Sequence, residues 1–130
     1  MRIMNDLSRK KFPEISMDYR GDSQPDPLQD GINFFNAGRF FEAHEAWEDI
    51  WRATRGPLRL FYQGLVQAAV GLHHLRNGNL NGAAAQLRKS LAKLEQYPAL
   101  CCRIDNRRLK MDLRDILDQM TPKPIHIKRV

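Results

Sequence analysis

Cysteine is nearly missing from these 130 residues: there are two, adjacent, at Cys101 and Cys102. Neighbouring cysteines bridge each other only with strain, and no second pair exists to build a disulfide framework. Reduced thiols, and with them a cytoplasmic location, are the expectation. Long apolar runs are missing too. No stretch approaches the roughly 18 apolar residues of a membrane span. Asn5, Asp6, Ser8 and Lys10 interrupt the region where a secretory signal would need a continuous apolar core. Acid is scarce in the second half. Residues 58–97 carry five bases against one acid and 98–130 carry eight against four, so the excess of base behind the +6 net charge lies entirely in this half. Such a surface can recruit an acidic partner. No aromatic-interleaved groove or nucleic-acid motif accompanies it, so a nucleic-acid partner is not expected. No heptad run asks for a coiled-coil partner, although exposed Phe residues in the leader or first helix could still seat a second copy in a homo-oligomer.

What is present reads as one all-α domain. Apolar residues make up 42% and charged residues 28%, a globular balance that argues against wholesale disorder. Residues 1–27 form an irregular leader punctuated by Pro13, Gly21, Pro25 and Pro27. It is either a strap anchored by Phe12, Ile15, Met17 and Tyr19 or a mobile tail. Asp26 then caps a first helix over 27–37, with Pro27 at its first position and Gly38 as its stop. A second spans 39–54, stopped by Gly56. A third starts at Pro57 and runs to 77. It is apolar nearly all round, so it should be the central helix of a compact bundle. A fourth over 80–96 carries the stripe Leu80, Ala83, Ala84, Leu87, Leu91 and Leu94. After a linker at 101–105, Leu109, Leu113, Ile116, Leu117 and Met120 mark a fifth helix over 106–120. Helices thus fill a domain over 28–120. Pro122 and Pro124 forbid further helix in the tail 121–130, where Ile125 and Ile127 alternate with His126 and Lys128 as in an extended, docked end.

An internal echo links the two halves. Gly38 aligns with Gly78 at an offset of 40, and Ala43, Trp47 and Trp51 then align with Ala83, Leu87 and Leu91. The period is not the roughly 34 of tetratricopeptide repeats, and two copies fall short of a solenoid, so the echo supports helical hairpins and nothing larger.

The unusual chemistry is concentrated in Phe40–Trp51, where two Trp, two Phe, one His and four acids share twelve positions. On a helical wheel Phe40, Phe41, His44, Trp47, Glu48 and Trp51 share one side, with Glu42, Glu45, Asp49 and Arg52 opposite. The third helix offers Gln63, Gln67 and His74 from its own apolar side. If the two sides face each other, five polar side chains meet inside the bundle, and a carboxylate buried there must find donors or take up a proton. Three readings stay open. The cluster is a structural hydrogen-bond network that fixes helix register. Or His44, Glu48 and His74 form a two-His-one-carboxylate site for a divalent metal, Zn or Fe. Or His44, Glu48, Gln63 and Gln67 bind a small ligand, with proton exchange at His44 and Glu48. The string His44-Glu45-Ala46-Trp47-Glu48 has Glu where the zincin motif needs its second His, so metalloprotease chemistry is not indicated. Trp47 and Trp51 are expected as core anchors and the cysteines as structural.

The run Phe34-Phe35-Asn36-Ala37-Gly38-Arg39-Phe40-Phe41-Glu42-Ala43-His44-Glu45-Ala46-Trp47-Glu48-Asp49-Ile50-Trp51 resembles the first signature of the bacterial family called domain of unknown function 309. Phe61-Tyr62-Gln63-Gly64-Leu65-Val66-Gln67-Ala68-Ala69, followed by His74 and Gly78-Asn79 through Gly82-Ala83, resembles the second, and together they cover about 28–97. The resemblance implies a compact helical fold and no established activity. Its motif positions map to Gly38, Glu42, His44, Glu45, Glu48, Trp51, Gln63, Gly64 and Gln67. The expectation for function is a pocket between the second and third helices that takes a small ligand or metal ion, with any enzymatic activity left open. The alternative is a helical interaction module in which the cluster is structural and the basic half contacts an acidic partner.

Overall fold

The computed structural model describes residues 25–130. The leader expected over 1–27 therefore lies almost wholly outside the described residues. The helices are α1 (Pro27–Asn36), α2 (Phe40–Ala53), α3 (Arg59–Arg76), α4 (Leu80–Leu94) and α5 (Asn106–Gln119). Local chemistry sets most of these limits. The Asp26 side chain accepts from the Gln29 N–H at 3.2 Å, with Pro27 at the first helical position. Asn79 and Asp105 do the same for α4 and α5 at 3.0 Å.

The start of α3 differs from its expected place at Pro57. Gly56 sits at φ +86°, and Gly56–Leu58 make a turn before the helix begins at Arg59. The Arg59 guanidinium then reaches back to the carbonyls of Trp51 and Thr54, at 2.9 and 3.0 Å, and caps the end of α2. The cation that closes α2 is thus the first residue of α3.

Two helical hairpins make up the body. α1 packs on α2, α2 on α3 and α3 on α4, which makes α3 the central helix. Their turns are alike. Gly38 at φ +78° and Gly78 at φ +82° hold the left-handed position that ends a Schellman turn. Gly38 N–H reaches Phe35 O and Arg39 N–H reaches Phe34 O; Gly78 N–H reaches Leu75 O and Asn79 N–H reaches His74 O. The offset of 40 seen in the sequence is therefore a repeated piece of backbone. Ala43 and Ala83, the paired small residues, are both fully buried, as are Trp47 and Leu87 one turn later.

The expected linker at 101–105 is a small hairpin instead. Leu100–Cys101 (β1) pairs antiparallel with Ile104–Asp105 (β2) through a two-residue loop, Cys102-Arg103, with φ of 55° and 61°. Positive φ at both loop residues is what a tight hairpin needs, and the absence of Gly and Asn hides it in the sequence. Asn106, fully buried, donates from its amide to the carbonyls of Leu94 and Pro98, at 3.1 Å each, and so ties the end of α4 to the start of α5. The tail docks as its alternation predicts. Ile125 and Ile127 are buried, and Ile127 exchanges two hydrogen bonds with the Asn36 side chain, at 3.0 and 2.7 Å. Further on, Asp105 N–H reaches the Lys128 carbonyl, and a β-bridge joins Ile104 to Arg129.

Trp47 fixes α1 against α2. Its indole N–H donates to Leu28 O at 3.2 Å, and its ring meets Phe35 at 5.6 Å. The ring lies so close to α1 that a β-carbon on Gly31 would stand 2.1 Å from the indole nitrogen. Gly31→Ala is expected to lower stability by about 1–3 kcal/mol, because overpacking against a fully buried ring outweighs the better helix propensity of alanine. Urea unfolding followed by Trp fluorescence checks this; an unchanged midpoint would mean that α1 can move off Trp47 freely.

Candidate functional site

The rotation imposed on α2 by Trp47 decides what its remaining side chains meet. Ala43 and Phe40 turn inward with it. Phe41 does not. The wheel placed it on the apolar side, yet it is 49% exposed and lies on the open edge between α2 and α3. There its ring contacts His44 at 5.4 Å and His73 at 5.5 Å. The imidazole of α3 that meets α2 is thus His73, through Phe41. His74, the residue favoured from spacing, lies 3.4 Å from the Asn79 amide at the α3–α4 turn.

Glu48 is 26% exposed and has two partners on its own helix: the His44 imidazole at 3.5 Å and the Arg52 guanidinium at 3.3 Å. His44 is a partner expected from the sequence. The glutamines, expected beside it, are replaced by Arg52, which the helical wheel set on the far side; an i,i+4 reach along the helix surface explains both contacts. His44 also lies 3.2 Å from the Phe41 carbonyl through its other ring nitrogen. On the solvent side, Arg39 hydrogen-bonds Glu42 at 2.9 Å and holds its carboxyl below the usual range. The five expected polar groups therefore do not form one network. His44 and Glu48 come together, His74 binds elsewhere, and the two glutamines make no side-chain hydrogen bond among the described residues. Nor is any group of three or more His, Cys, Asp or Glu among those residues placed to hold a metal ion, so His44, Glu48 and His74 are not assembled as a ligand set.

What the seam holds instead is two buried polar atoms. Phe41 on His73 at one end, and Trp51 under the Arg59 guanidinium at 4.9 Å at the other, set α2 and α3 antiparallel. On that register Gln63 lies level with the turn of Glu48, and Gln67 lies further along, level with His44. The indole N–H of Trp51 and the amide oxygen of Gln67 are both buried without a hydrogen-bond partner among the described residues. Asn106 Oδ1 and Arg129 Nε share that condition, but both of those side chains are anchored by other atoms. Trp51 and Gln67 make no other side-chain hydrogen bond among the described residues. No sequence pattern marks them as unpaired; the wheel placed Trp51 in the core and offered Gln67 to Glu48.

The cysteines stay outside this seam. Their sulfurs are 3.9 Å apart, and Cys102 lies 3.6 Å from the Tyr62 hydroxyl. Burial, then Cys102 beside it, pushes the Cys101 thiol up to about 12, so it stays protonated and unreactive at neutral pH. Burial, and then Cys102, likewise raises the Tyr62 hydroxyl.

Two tandem helical hairpins, closed by α5 and a docked tail and carrying an acid–imidazole pair on the α2–α3 seam, define a small all-α protein. Residues 28–86 match the family described as Domain of unknown function (DUF309), the family that the two signatures resemble. An uncharacterized protein of Aquifex aeolicus (strain VF5) is 29% identical over 72 residues, which is 55% of this chain and 22% of the relative. The chain thus spans about a fifth of that relative's length. Among the described residues, no helix is long and apolar enough to cross a membrane.

Because the Glu48 contacts are partly exposed, they are worth little to the fold. Glu48→Gln is expected to cost less than about 1 kcal/mol in chemical unfolding. A loss of 3 kcal/mol or more would show that the carboxylate holds the helices together.

Proposed function

We propose that this chain is a ligand-binding helical protein of the cytoplasm, the setting that suits its reduced cysteines, and that its site is the α2–α3 seam. The observation that carries the reading is the pair of unpartnered atoms, Trp51 Nε1–H and Gln67 Oε1. Leaving a buried donor or acceptor unpaired costs about 1–3 kcal/mol, and a polar guest, like an ordered water, would restore the bonds. A fitting guest is small and polar, offering an acceptor to the indole or a donor to the amide. Glu48 and His44 at the rim favour one that also carries an amine. Primary amides and amino alcohols have that chemistry. Binding alone accounts for the arrangement, with no reaction required.

The proposal separates cleanly from a purely structural role. Gln67→Leu keeps the volume nearly unchanged and removes the polar atoms, whereas Trp51→Phe removes the indole N–H together with part of the ring system. If the atoms wait for a guest, Gln67→Leu should be as stable as the parent or up to about 1 kcal/mol more so. Trp51→Phe, which also loses ring packing under Arg59, is read by its ligand response alone. In a melting-temperature screen of primary amides and amino alcohols, at least one compound should stabilise the parent and lose that effect in one variant or both. A loss above about 1 kcal/mol in free Gln67→Leu, or shifts that survive both substitutions, would return the seam to a structural role.

The second reading is an interaction module that meets an acidic partner through the basic half. It has one observation in its favour. Arg88 and Lys89 are exposed side by side on α4, with Lys93 half-buried one turn further on, so this helix presents positive charge to solvent. Binding of poly-L-glutamate should then weaken steeply between low and physiological salt. A flat response would remove this reading.

A further inference from the structure

Away from the α2–α3 seam, the α1–α2 turn, the end of α3 and the tail enclose a cleft of about 370 Å³. That size is in the range of small-molecule sites. Phe40, Leu72, Leu75 and Ile125 line it, and so do Pro122 and Pro124. Its charged and titratable side chains are Arg76, Lys123 and His126; no carboxylate is among its lining residues.

Arg76 is the organising group. One of its guanidinium nitrogens donates to the Gly38 carbonyl, and the plane lies over the Phe40 ring with its central carbon 4.7 Å from the centroid. A guanidinium has five N–H donors, so this leaves donors free in a fixed orientation. Among the described residues Arg76 meets no carboxylate. Lys123 is only partly neutralised, by Asp115 at 3.3 Å across an exposed contact. The cleft also opens at the amino end of α2, whose first N–H groups receive no side-chain cap. Apolar walls and an unopposed, immobilised guanidinium together select an anion with a hydrocarbon body.

We infer that this cleft binds a small amphiphilic carboxylate, with the carboxylate on Arg76 and the Lys123 side and the hydrocarbon against Phe40, Leu72, Leu75 and the tail prolines. Calorimetric titration of the full chain with octanoate tests it, beside octanol, which lacks the charge, and acetate, which lacks the chain. One octanoate should bind per chain, with octanol and acetate each at least about tenfold weaker. Arg76→Gln should weaken octanoate by about tenfold or more and Lys123→Gln by a few-fold, while Arg108→Gln, outside the cleft, should change nothing. Because Arg76 also holds Gly38, each variant's melting curve is compared with the parent's, and the tail variant Lys123→Gln keeps the test independent of that turn. Absence of saturable octanoate binding, equal binding of octanol or acetate, or unchanged affinity in both Arg76→Gln and Lys123→Gln would overturn the assignment.

Discussion

The contact of Trp47 with Gly31 sets the geometry of the first half of the molecule. A fully buried indole occupies the space where any other residue at position 31 would place its β-carbon, and its N–H is bonded to the Leu28 carbonyl. That slot leaves α2 one rotation about its own axis. With Trp47 pointing inward, Ala43 and Phe40 follow it, while Phe41, His44 and Glu48 are carried round to the edge facing α3. The polar character of the seam therefore follows from how one tryptophan is packed. Buried apolar area supplies the driving force, and the close approach supplies the register.

Much of this was legible in the chain. Asp26-Pro27, Gly38, Gly78-Asn79 and Asp105 are local signals whose hydrogen bonds close within a few residues, so the helix limits they announce are the ones observed. The alternation of Ile125 and Ile127 was equally local. The site was less legible, because a helical wheel gives angles around an axis and not the arc a neighbouring helix covers. Phe41 has the composition of a core residue and the position of an edge residue. His73 and His74 are adjacent, and only the packing of Phe41 decides which reaches α2. Glu48 found Arg52 one turn along its own helix, where the wheel had drawn a boundary between faces.

The two hairpins share a turn and differ in what they present. The first repeat puts Trp47 at the position that Leu87 fills in the second, and Arg39 where the second has Asn79, so only the second has a side-chain cap at that helix start. Symmetry in the backbone thus carries asymmetry in chemistry. The seam, with its Phe, His and Glu, forms where α2 of the first hairpin meets α3 of the second. The cleft built around Arg76 forms at the same boundary's outer end, where the Gly38 turn approaches the end of α3.

The double hydrogen bond between Asn36 and Ile127 joins residues 91 apart, whereas each helical hairpin closes through near neighbours. Contacts of short sequence separation form early in folding and those of long separation wait for chain closure. On that ground the clasp is expected to close after the hairpins and to open before them. Since the tail is one wall of the Arg76 cleft, the cleft would then be complete only when the tail has docked. Any guest held there would slow the reopening of the tail and favour the fully closed chain over a form with both hairpins built and the tail undocked.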